Sequence, residues 1–462
     1  MNKDQIEVKN SSMNTMTCGS PLKIILTFAF PMLIGNIFQQ LYNMVDSIVV
    51  GNYVGKLALA AVGTGFPIIF MMAAMFIGLG LGATILISQY VGAGDMDNVQ
   101  RTAQTIYTAM ILGSIPISII GIFLSEPILV LIKTPIDALP MAKTYMMIIF
   151  SGMIGGFGFN VNAGILQGFG DSKSSLLFLS IATVMNIILD LILVIVFGMG
   201  VAGVAVATIT AQMASWIFGI IYMKRKYAVL DFPVFKFKFD KAIFGKIVKL
   251  GLPAGIQQTL FSIGIMSLQS LVNGYGSDFI AGFNAANKID TFAFMPIQSF
   301  SNAVTTFTGQ NIGAGRMDRV HKGTVTAVGL SVMVCLACLV IIPLGPSLLG
   351  MFNSDPAVIE SGMIYLKNVM PAISLLAIVF TINAVIRGAG ESIVPMMGAI
   401  ISLWLGRIPA AYYIADKYGK EYMFLSYAVG WAFWLLISGP YYLSGKWKTK
   451  SEELLGKQNY SS

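Results

Sequence analysis

Two similar segments decide the fold of this chain: ISQYVGAGDMDNVQRT at 87–102 and TGQNIGAGRMDRVHKGT at 308–324. Seven identical residues recur in them at a constant offset of 221 positions, so that Gln89 pairs with Gln310. Outward from this repeat, Pro31 matches Pro253, and LQGFGDSKS at 166–174 matches IRGAGESIV at 386–394. Because the offset stays at 220–222 over more than 130 residues, the chain contains two copies of one structural unit.

The composition is that of a membrane protein. Of 462 residues, 56% are hydrophobic and 11% are charged, and the mean hydropathy is +0.77. A soluble domain has about 25% charged residues. The composition therefore excludes an ordinary cytosolic enzyme, a disordered chain and a secreted protein built on disulfides.

The apolar runs predict twelve membrane-spanning helices, since a helix needs about 20 apolar residues to cross a bilayer. We predict spans at 22–50, 58–90, 100–124, 139–167, 174–198, 201–223, 242–272, 278–308, 320–345, 360–386, 392–415 and 422–444. Each copy of the repeat has an even number of spans, so both copies insert in the same orientation. The predicted fold is an all-α polytopic membrane protein, with twelve transmembrane helices in two pseudo-symmetric six-helix lobes around a central cleft.

The domain boundaries follow from these spans. The prediction is a cytoplasmic tail, an N-lobe, a basic cytoplasmic linker, a C-lobe and a second cytoplasmic tail, at 1–21, 22–223, 224–241, 242–444 and 445–462.

The positive charge predicts the orientation. With the N-terminus inside, the inner segments hold 21 of the 29 lysines and arginines. By the positive-inside rule both termini are cytoplasmic. The net charge of +8 therefore reflects topology and predicts no nucleic-acid partner.

We interpret the glycine-rich repeats as turns at helix ends. A phosphate loop would require GxxxxGK[ST] after a strand, and no strand pattern is present. No cofactor is expected. An integral-membrane enzyme would need a constellation such as HExxH or a Ser/His pair, but the only histidine is His321, in a predicted inner turn, so no enzyme activity is expected.

Three of the 21 carboxylates lie inside predicted spans and away from their ends: Asp46, Asp190 and Asp290. Acids within the membrane usually face a wet cavity or a partner, because an Asp at the helix centre costs about 2.5–3.5 kcal/mol. Asp46 and Asp190 lie at similar predicted depth, and Asn186 shares a helix face with Asp190. Thr208 of the sixth span lies at a comparable depth.

Two acids, an amide and a hydroxyl can hold a proton, or exchange it for a hard cation such as Na⁺ bound by oxygens. The alternative is that each acid only satisfies a local hydroxyl or backbone group.

Two further residues have open interpretations. Asp290, near mid-membrane, either contacts a cationic substrate or is neutralised by Arg407 of another span. Pro31 removes a backbone hydrogen bond to Thr27 and favours a kink in the first span. That kink is either a moving hinge or a fixed feature of the helix.

At these residues the sequence resembles the multidrug and toxic compound extrusion (MATE) transporters, and within them a bacterial, DinF-like branch. The resemblance covers about 20–445 and rests on FPMLIGNIFQQLYNMVDSIVVG, the two GAG segments, LQGFGDS and VIRGAGES. It implies drug export driven by inward H⁺ or Na⁺. The residues that match the branch's cation site are Asp46, Asn186, Asp190 and Thr208, and Pro31 matches its hinge. Gln39 and Asn160 match positions that line its drug cavity.

The sequence departs from the branch typified by NorM, which uses acids in the seventh and tenth helices. Gln257, Gln258 and Asn383 stand there instead, and Asp290 is the only acid left in the second half for such work.

These features together predict a cation-coupled multidrug antiporter of the cell membrane, with both termini cytoplasmic. It would work as a monomer by alternating access, and its substrates would be amphipathic, often cationic, organic compounds. The alternative function is a flippase for a lipid-linked sugar from the same superfamily. A flippase would need a strongly cationic cavity, and only Lys288 and Arg407 are candidates for one.

Overall fold

A computed structural model describes residues 16–227, 229–230 and 237–455, with the exception of the side chains of Phe66 and Leu455. Parts of both predicted tails and of the predicted linker therefore lie outside the described residues. Within the described ranges all regular secondary structure is helical, which confirms the predicted all-α class.

The described residues of the first half form seven α-helices. They are α1 (Pro21–Val49), α2 (Lys56–Ala93), α3 (Met96–Leu131), α4 (Leu139–Ser151), α5 (Met153–Gly168), α6 (Ser172–Asp190) and α7 (Gly200–Lys226). Two π-helical segments, Val50–Val54 and Leu191–Val196, continue α1 and α6.

In the second half, the part of the chain that the structure describes forms ten α-helices. They are α8 (Lys241–Asn273), α9 (Ser277–Gly313), α10 (Met317–Cys338), α11 (Ile341–Gly350), α12 (Pro356–Val369), α13 (Ile373–Gly388), α14 (Ile393–Ile401), α15 (Ile408–Tyr418), α16 (Ser426–Leu443) and α17 (Trp447–Leu455). A 3₁₀ turn, Met370–Ala372, joins α12 to α13, a π-helical segment, Ser402–Arg407, joins α14 to α15, and a second 3₁₀ turn, Met423–Leu425, precedes α16.

These helices account for the twelve predicted spans. In the described part of the chain, nine helical stretches are long and apolar enough to cross a bilayer, and the α4–α5 pair, bent by 52°, makes a tenth. The two more polar helices α8 and α9, of 33 and 37 residues, also exceed the length of about 20 residues that a bilayer requires. The chain is a multi-pass membrane protein.

The repeated glycines form tight turns between helices, as predicted. Gly94 and Gly170, which end the turns after α2 and α5, have φ of +74° and +83°. Their repeat partners Gly315 and Gly390 have φ of +73° and +98°. Residues with a Cβ avoid this left-handed region, so only glycine makes all four turns without strain.

The described chain divides into two compact units. The N-terminal unit is Phe30–Gly255, and the C-terminal unit is Met16–Ala29 together with the chain from Ile256 onward. The boundaries of these units therefore fall inside α1 and α8, close to Pro31 and Pro253.

The start of α8 belongs to the N-terminal unit because it packs closely on α2. Gly251 and Gly255 of α8 face Gly78 and Gly82 of α2, and a Cβ on Gly78 would clash with the carbonyl oxygen of Gly251. Small residues spaced four apart allow this close approach of two backbones.

The segment before α1 belongs to the C-terminal unit because the second GAG segment binds it. The N–H of Met16 donates to Gln310 Oε1 at 2.7 Å, and Arg319 donates to the carbonyls of Met16 at 3.2 Å and Gly19 at 2.8 Å. Hydropathy alone does not report such bonds from side chains to backbone.

Candidate functional site

The N-terminal unit brings two acids together inside the protein. Asp46 lies on α1 and Asp190 is the last residue of α6, and their side chains lie close together, within reach of one amide group, that of Asn186. Asp190 is fully buried and Asp46 is half-buried. Two carboxylates have no donor between them, so this contact requires a proton or another cation.

Asn186 connects the two acids. The hydrogen-bonding partners assign its amide an orientation in which the nitrogen faces the two acids. In this orientation the nitrogen lies 3.0 Å from Asp46 Oδ1 and 3.3 Å from Asp190 Oδ2. Asn186 is fully buried, one turn before Asp190 on the same face of α6. The other oxygen, Asp190 Oδ1, is buried and receives no hydrogen bond from any described residue. An acceptor left open in this way costs free energy unless a proton or cation occupies it.

Two tyrosines that sequence reasoning missed complete the site. The hydroxyl of Tyr42 donates to Thr208 Oγ1 at 3.2 Å, and Tyr42 lies one turn before Asp46 on α1. The phenol of Tyr145, on α4, lies within electrostatic range of both acids. Tyr42 could have been found from its i, i+4 spacing to Asp46. No local pattern marked Tyr145.

An apolar cluster packs beside this polar group. Val49, Val50, Val194 and Val204 are buried within it, and Val45, next to Asp46 in the chain, packs against it. The π-helical segments start just after the two acids, at Val50 and at Leu191. Such local widening of a helix occurs frequently at functional sites.

The oxygen ligands of this site suit a proton or a hard monovalent cation. Carboxylate, amide and hydroxyl oxygens are the ligands that hard cations prefer. Among the residues that the structure describes, no three His, Cys, Asp or Glu side chains gather as a transition-metal site would require. A sodium ion would therefore use Asp46, Asp190, Thr208 and the oxygen of a rotated Asn186 amide.

The three other predicted N-terminal positions lie outside this group of contacts. Pro31 is buried, and α1 continues through it as a helix. Gln39 and Asn160 are exposed on the surface of the unit, where the amide of Asn160 donates to the carbonyl of Gly156 at 2.8 Å.

Asp290 lies in the C-terminal unit, on α9. Its Oδ2 accepts a hydrogen bond from Tyr365 at 2.9 Å, and the charge of Arg407 acts on it. The two interpretations that the sequence left open, contact with a cationic substrate and neutralisation by Arg407, both stay predictions.

Comparisons with known proteins agree with the repeat and with the fold. The MatE family model matches twice, at 31–192 and 253–413. The Bacillus subtilis protein named "Probable multidrug resistance protein YpnP" is 31% identical over 94% of this chain and 97% of its own length. The Thermotoga maritima protein named "Probable multidrug resistance protein NorM" is 28% identical over 93% and 94% of the two chains.

A solved structure, described as the outward-facing conformation of a multidrug resistance MATE family transporter, matches with a TM-score of 0.87. It is 23% identical, and the match covers 96% of this chain and 99% of that one. At this identity the likeness shows the fold, which has twelve transmembrane helices in two lobes.

Proposed function

This chain belongs to the MATE family, which is a family of transporters and not of enzymes, and from this membership we propose that it is a cation-coupled multidrug efflux antiporter. Its substrates are amphipathic organic compounds, many of them cationic. It works by alternating access in the cell membrane, as a monomer with both termini in the cytoplasm.

The acid pair of the N-terminal unit carries the proposal. The amide of Asn186 bridges Asp46 and Asp190, and Asp190 Oδ1 has no described donor. The site therefore changes its charge by one unit when it takes up or releases a proton or a sodium ion. A charge change buried inside the membrane is large enough in free energy to favour one conformation over another.

The surrounding residues have distinct roles in this proposal. Asn186 holds the two carboxyl groups at a fixed separation, and Thr208 and Tyr42 supply hydroxyls that complete the coordination of a cation. Pro31 is the hinge at which α1 responds to the charge state of Asp46. Gln39 and Asn160, both exposed, line the drug cavity.

The driving force depends on how many cations enter for each molecule exported. One charge that crosses 100 mV contributes about 2.3 kcal/mol. If one monovalent drug cation leaves for each cation that enters, the electrical contributions cancel and only the ion gradient drives export.

The experiment is transport by the purified chain in proteoliposomes under imposed pH or sodium gradients, each tested alone. We expect one of the two gradients to drive accumulation of a fluorescent organic cation. Asp190→Asn should abolish the gradient-driven part, whereas Asp137→Asn, which changes an acid at an exposed loop, should leave it intact.

Gradient-driven export by Asp190→Asn at the wild-type rate would exclude the pair as the coupling site. Wild-type vesicles that scramble a lipid-linked sugar but move no organic cation would instead support a flippase.

A further inference from the structure

The C-terminal unit has a different set of side chains at the positions that correspond to the acid pair. The two matches of the family model end at 192 and 413, which gives an offset of 221 for the fifth and eleventh spans. On this offset Asn186, the residue that connects the two acids, corresponds to Arg407. Asp190 corresponds to Ala411, which is fully buried.

The fourth and tenth spans correspond as well. Their glycine turns, at Gly170 and Gly390, set an offset of 220. Tyr145, beside the acid pair, therefore corresponds to Tyr365, which donates to Asp290 at 2.9 Å. Equivalent helices thus carry a tyrosine and a central polar residue in both units.

The C-terminal side chains form one continuous chain of contacts. The hydroxyl of Tyr365 donates to Asp290 Oδ2 at 2.9 Å, and the Tyr365 ring packs edge-on against that of Tyr427, with the ring centres 5.6 Å apart. The guanidinium of Arg407 lies 3.2 Å from the centre of the Tyr427 ring. A guanidinium only donates and a carboxylate only accepts. Arg407 places a donor with a fixed positive charge at one end of this chain of contacts, and Asp290 places an acceptor at the other.

The two sites also differ in their charged groups. The N-terminal site has two acids and no basic group, and one buried oxygen lacks a donor. The C-terminal site has one acid and one guanidinium. Besides Tyr365 and Tyr427, Cys338 of α10 is a titratable side chain in electrostatic range of Asp290. The C-terminal site is therefore electrically balanced without a bound ion.

We propose that the guanidinium of Arg407 is a tethered substitute for the coupling cation, so that only the N-terminal unit exchanges ions during transport. The inference rests on the proposed function, because it takes the Asp46–Asp190 pair as the site that exchanges ions. It predicts that removing Arg407 creates a second cation site that depends on Asp290.

The test measures cations bound per protein by the purified full-length chain in detergent. Radioactive Na⁺ is one probe, and proton uptake on a drop from pH 8 to pH 6 is the other, each taken as the difference between variant and wild type. Arg407→Asn, which copies the residue of the N-terminal site, should bind one additional cation. The double variant Asp290→Asn with Arg407→Asn should return to the wild-type number.

Two single variants keep the test decisive if Arg407→Asn does not fold. Asp290→Asn should bind as many cations as the wild type, and Asp46→Asn should bind fewer. Loss of a cation in Asp290→Asn, or no gain in a folded Arg407→Asn, would overturn the role of Arg407. An unchanged number in Asp46→Asn would refute the N-terminal site itself and hence the proposed function.

A role for Asp290 in binding cationic substrates has a separate signature. It predicts weaker binding of an organic cation to Asp290→Asn at an unchanged affinity for a neutral substrate. That result would show that the carboxylate of Asp290 binds the cationic substrate, and it would overturn the fixed pairing of Asp290 with Arg407.

Discussion

Asp171, in the turn between α5 and α6, should be among the most costly acids in the chain to neutralise. It is 8% exposed and caps α6 by accepting from the N–H of Ser174 at 3.1 Å. Three side chains also donate to its Oδ2: Ser174 Oγ at 2.6 Å, Lys226 Nζ at 2.6 Å and the hydroxyl of Tyr227 at 2.7 Å. The turn is thereby attached to the end of α7.

The substitution Asp171→Asn keeps the cap but places an amide NH₂ where three donors converge. Hydrogen bonds to a charged group contribute about 1.5–3 kcal/mol each. The lysine bond counts for less, because the Lys226 side chain is 41% exposed and solvent screens it. We therefore expect Asp171→Asn to lower the free energy of unfolding by about 3 kcal/mol, mainly through the two hydroxyl bonds.

The effect has a defined dependence on pH. Burial raises the pKa of Asp171, but the bonds from Lys226, Ser174 and Tyr227 outweigh it, and the pKa lies below its ordinary value. A carboxyl with a lowered native pKa stabilises the protein fully above its unfolded pKa of about 3.9, and this stabilisation is lost as the pH falls through the native pKa. The difference between wild type and variant should be constant from pH 8 to pH 5 and shrink below about pH 4.

The assay is tryptophan fluorescence during unfolding of micelle-bound protein by increasing SDS. Asp95→Asn is the control, because Asp95 caps α3 after a similar glycine turn and accepts from the N–H of Asn98 at 3.1 Å, and asparagine caps a helix as well as aspartate does. Only one side chain, that of Asn98 at 2.7 Å, is seen to donate to Asp95 among the described residues, against three at Asp171. Equal losses in the two variants would refute the reasoning, since the donors around Asp171 would then contribute nothing.

Three further substitutions test other parts of the molecule. Gly78→Ala should lower the free energy of unfolding by about 1–3 kcal/mol by overpacking against α8, whereas Gly80→Ala, with nothing within 4 Å, should not lower it; equal effects in the SDS assay would contradict the close packing. Pro31→Ala should slow turnover in proteoliposomes while equilibrium substrate binding persists, because it restores a backbone bond at the proposed hinge, and unchanged transport would make the proline only architectural. Tyr42→Phe should weaken cation binding about fivefold, the equivalent of one hydrogen bond of about 1 kcal/mol, by removing the donor to Thr208 at 3.2 Å; wild-type affinity would exclude this hydroxyl from the site.

The spans could be predicted from the sequence because crossing a bilayer imposes a length and an apolar composition on every one of them. The seventh, predicted at 242–272, occupies Lys241–Asn273. The ninth, predicted at 320–345, ends instead at Cys338, and α11 follows from Ile341. The apolar run continues across that break, so hydropathy could not reveal it.

The site could be predicted only in part. Asp46 and Asp190 were identifiable because acids are rare within spans, and Asn186 because it shares a helix face with Asp190. Tyr145 was not identifiable, because its proximity to the acids depends on how α4 packs in the unit, before the 52° bend at Ser151 and Gly152. Its place in the site became recognisable through its repeat partner Tyr365, which donates to Asp290 at 2.9 Å.

The difference between the two units has an energetic consequence for transport. A second mobile cation in each cycle would add about 2.3 kcal/mol per 100 mV to the driving force. A tethered guanidinium at Arg407 adds none, because it stays with the protein throughout the cycle. With one mobile cation, the membrane potential assists export of a neutral compound but cancels for a monovalent organic cation. The inferred single site therefore makes the ion gradient, rather than the potential, the factor that limits how far cationic substrates are concentrated outside.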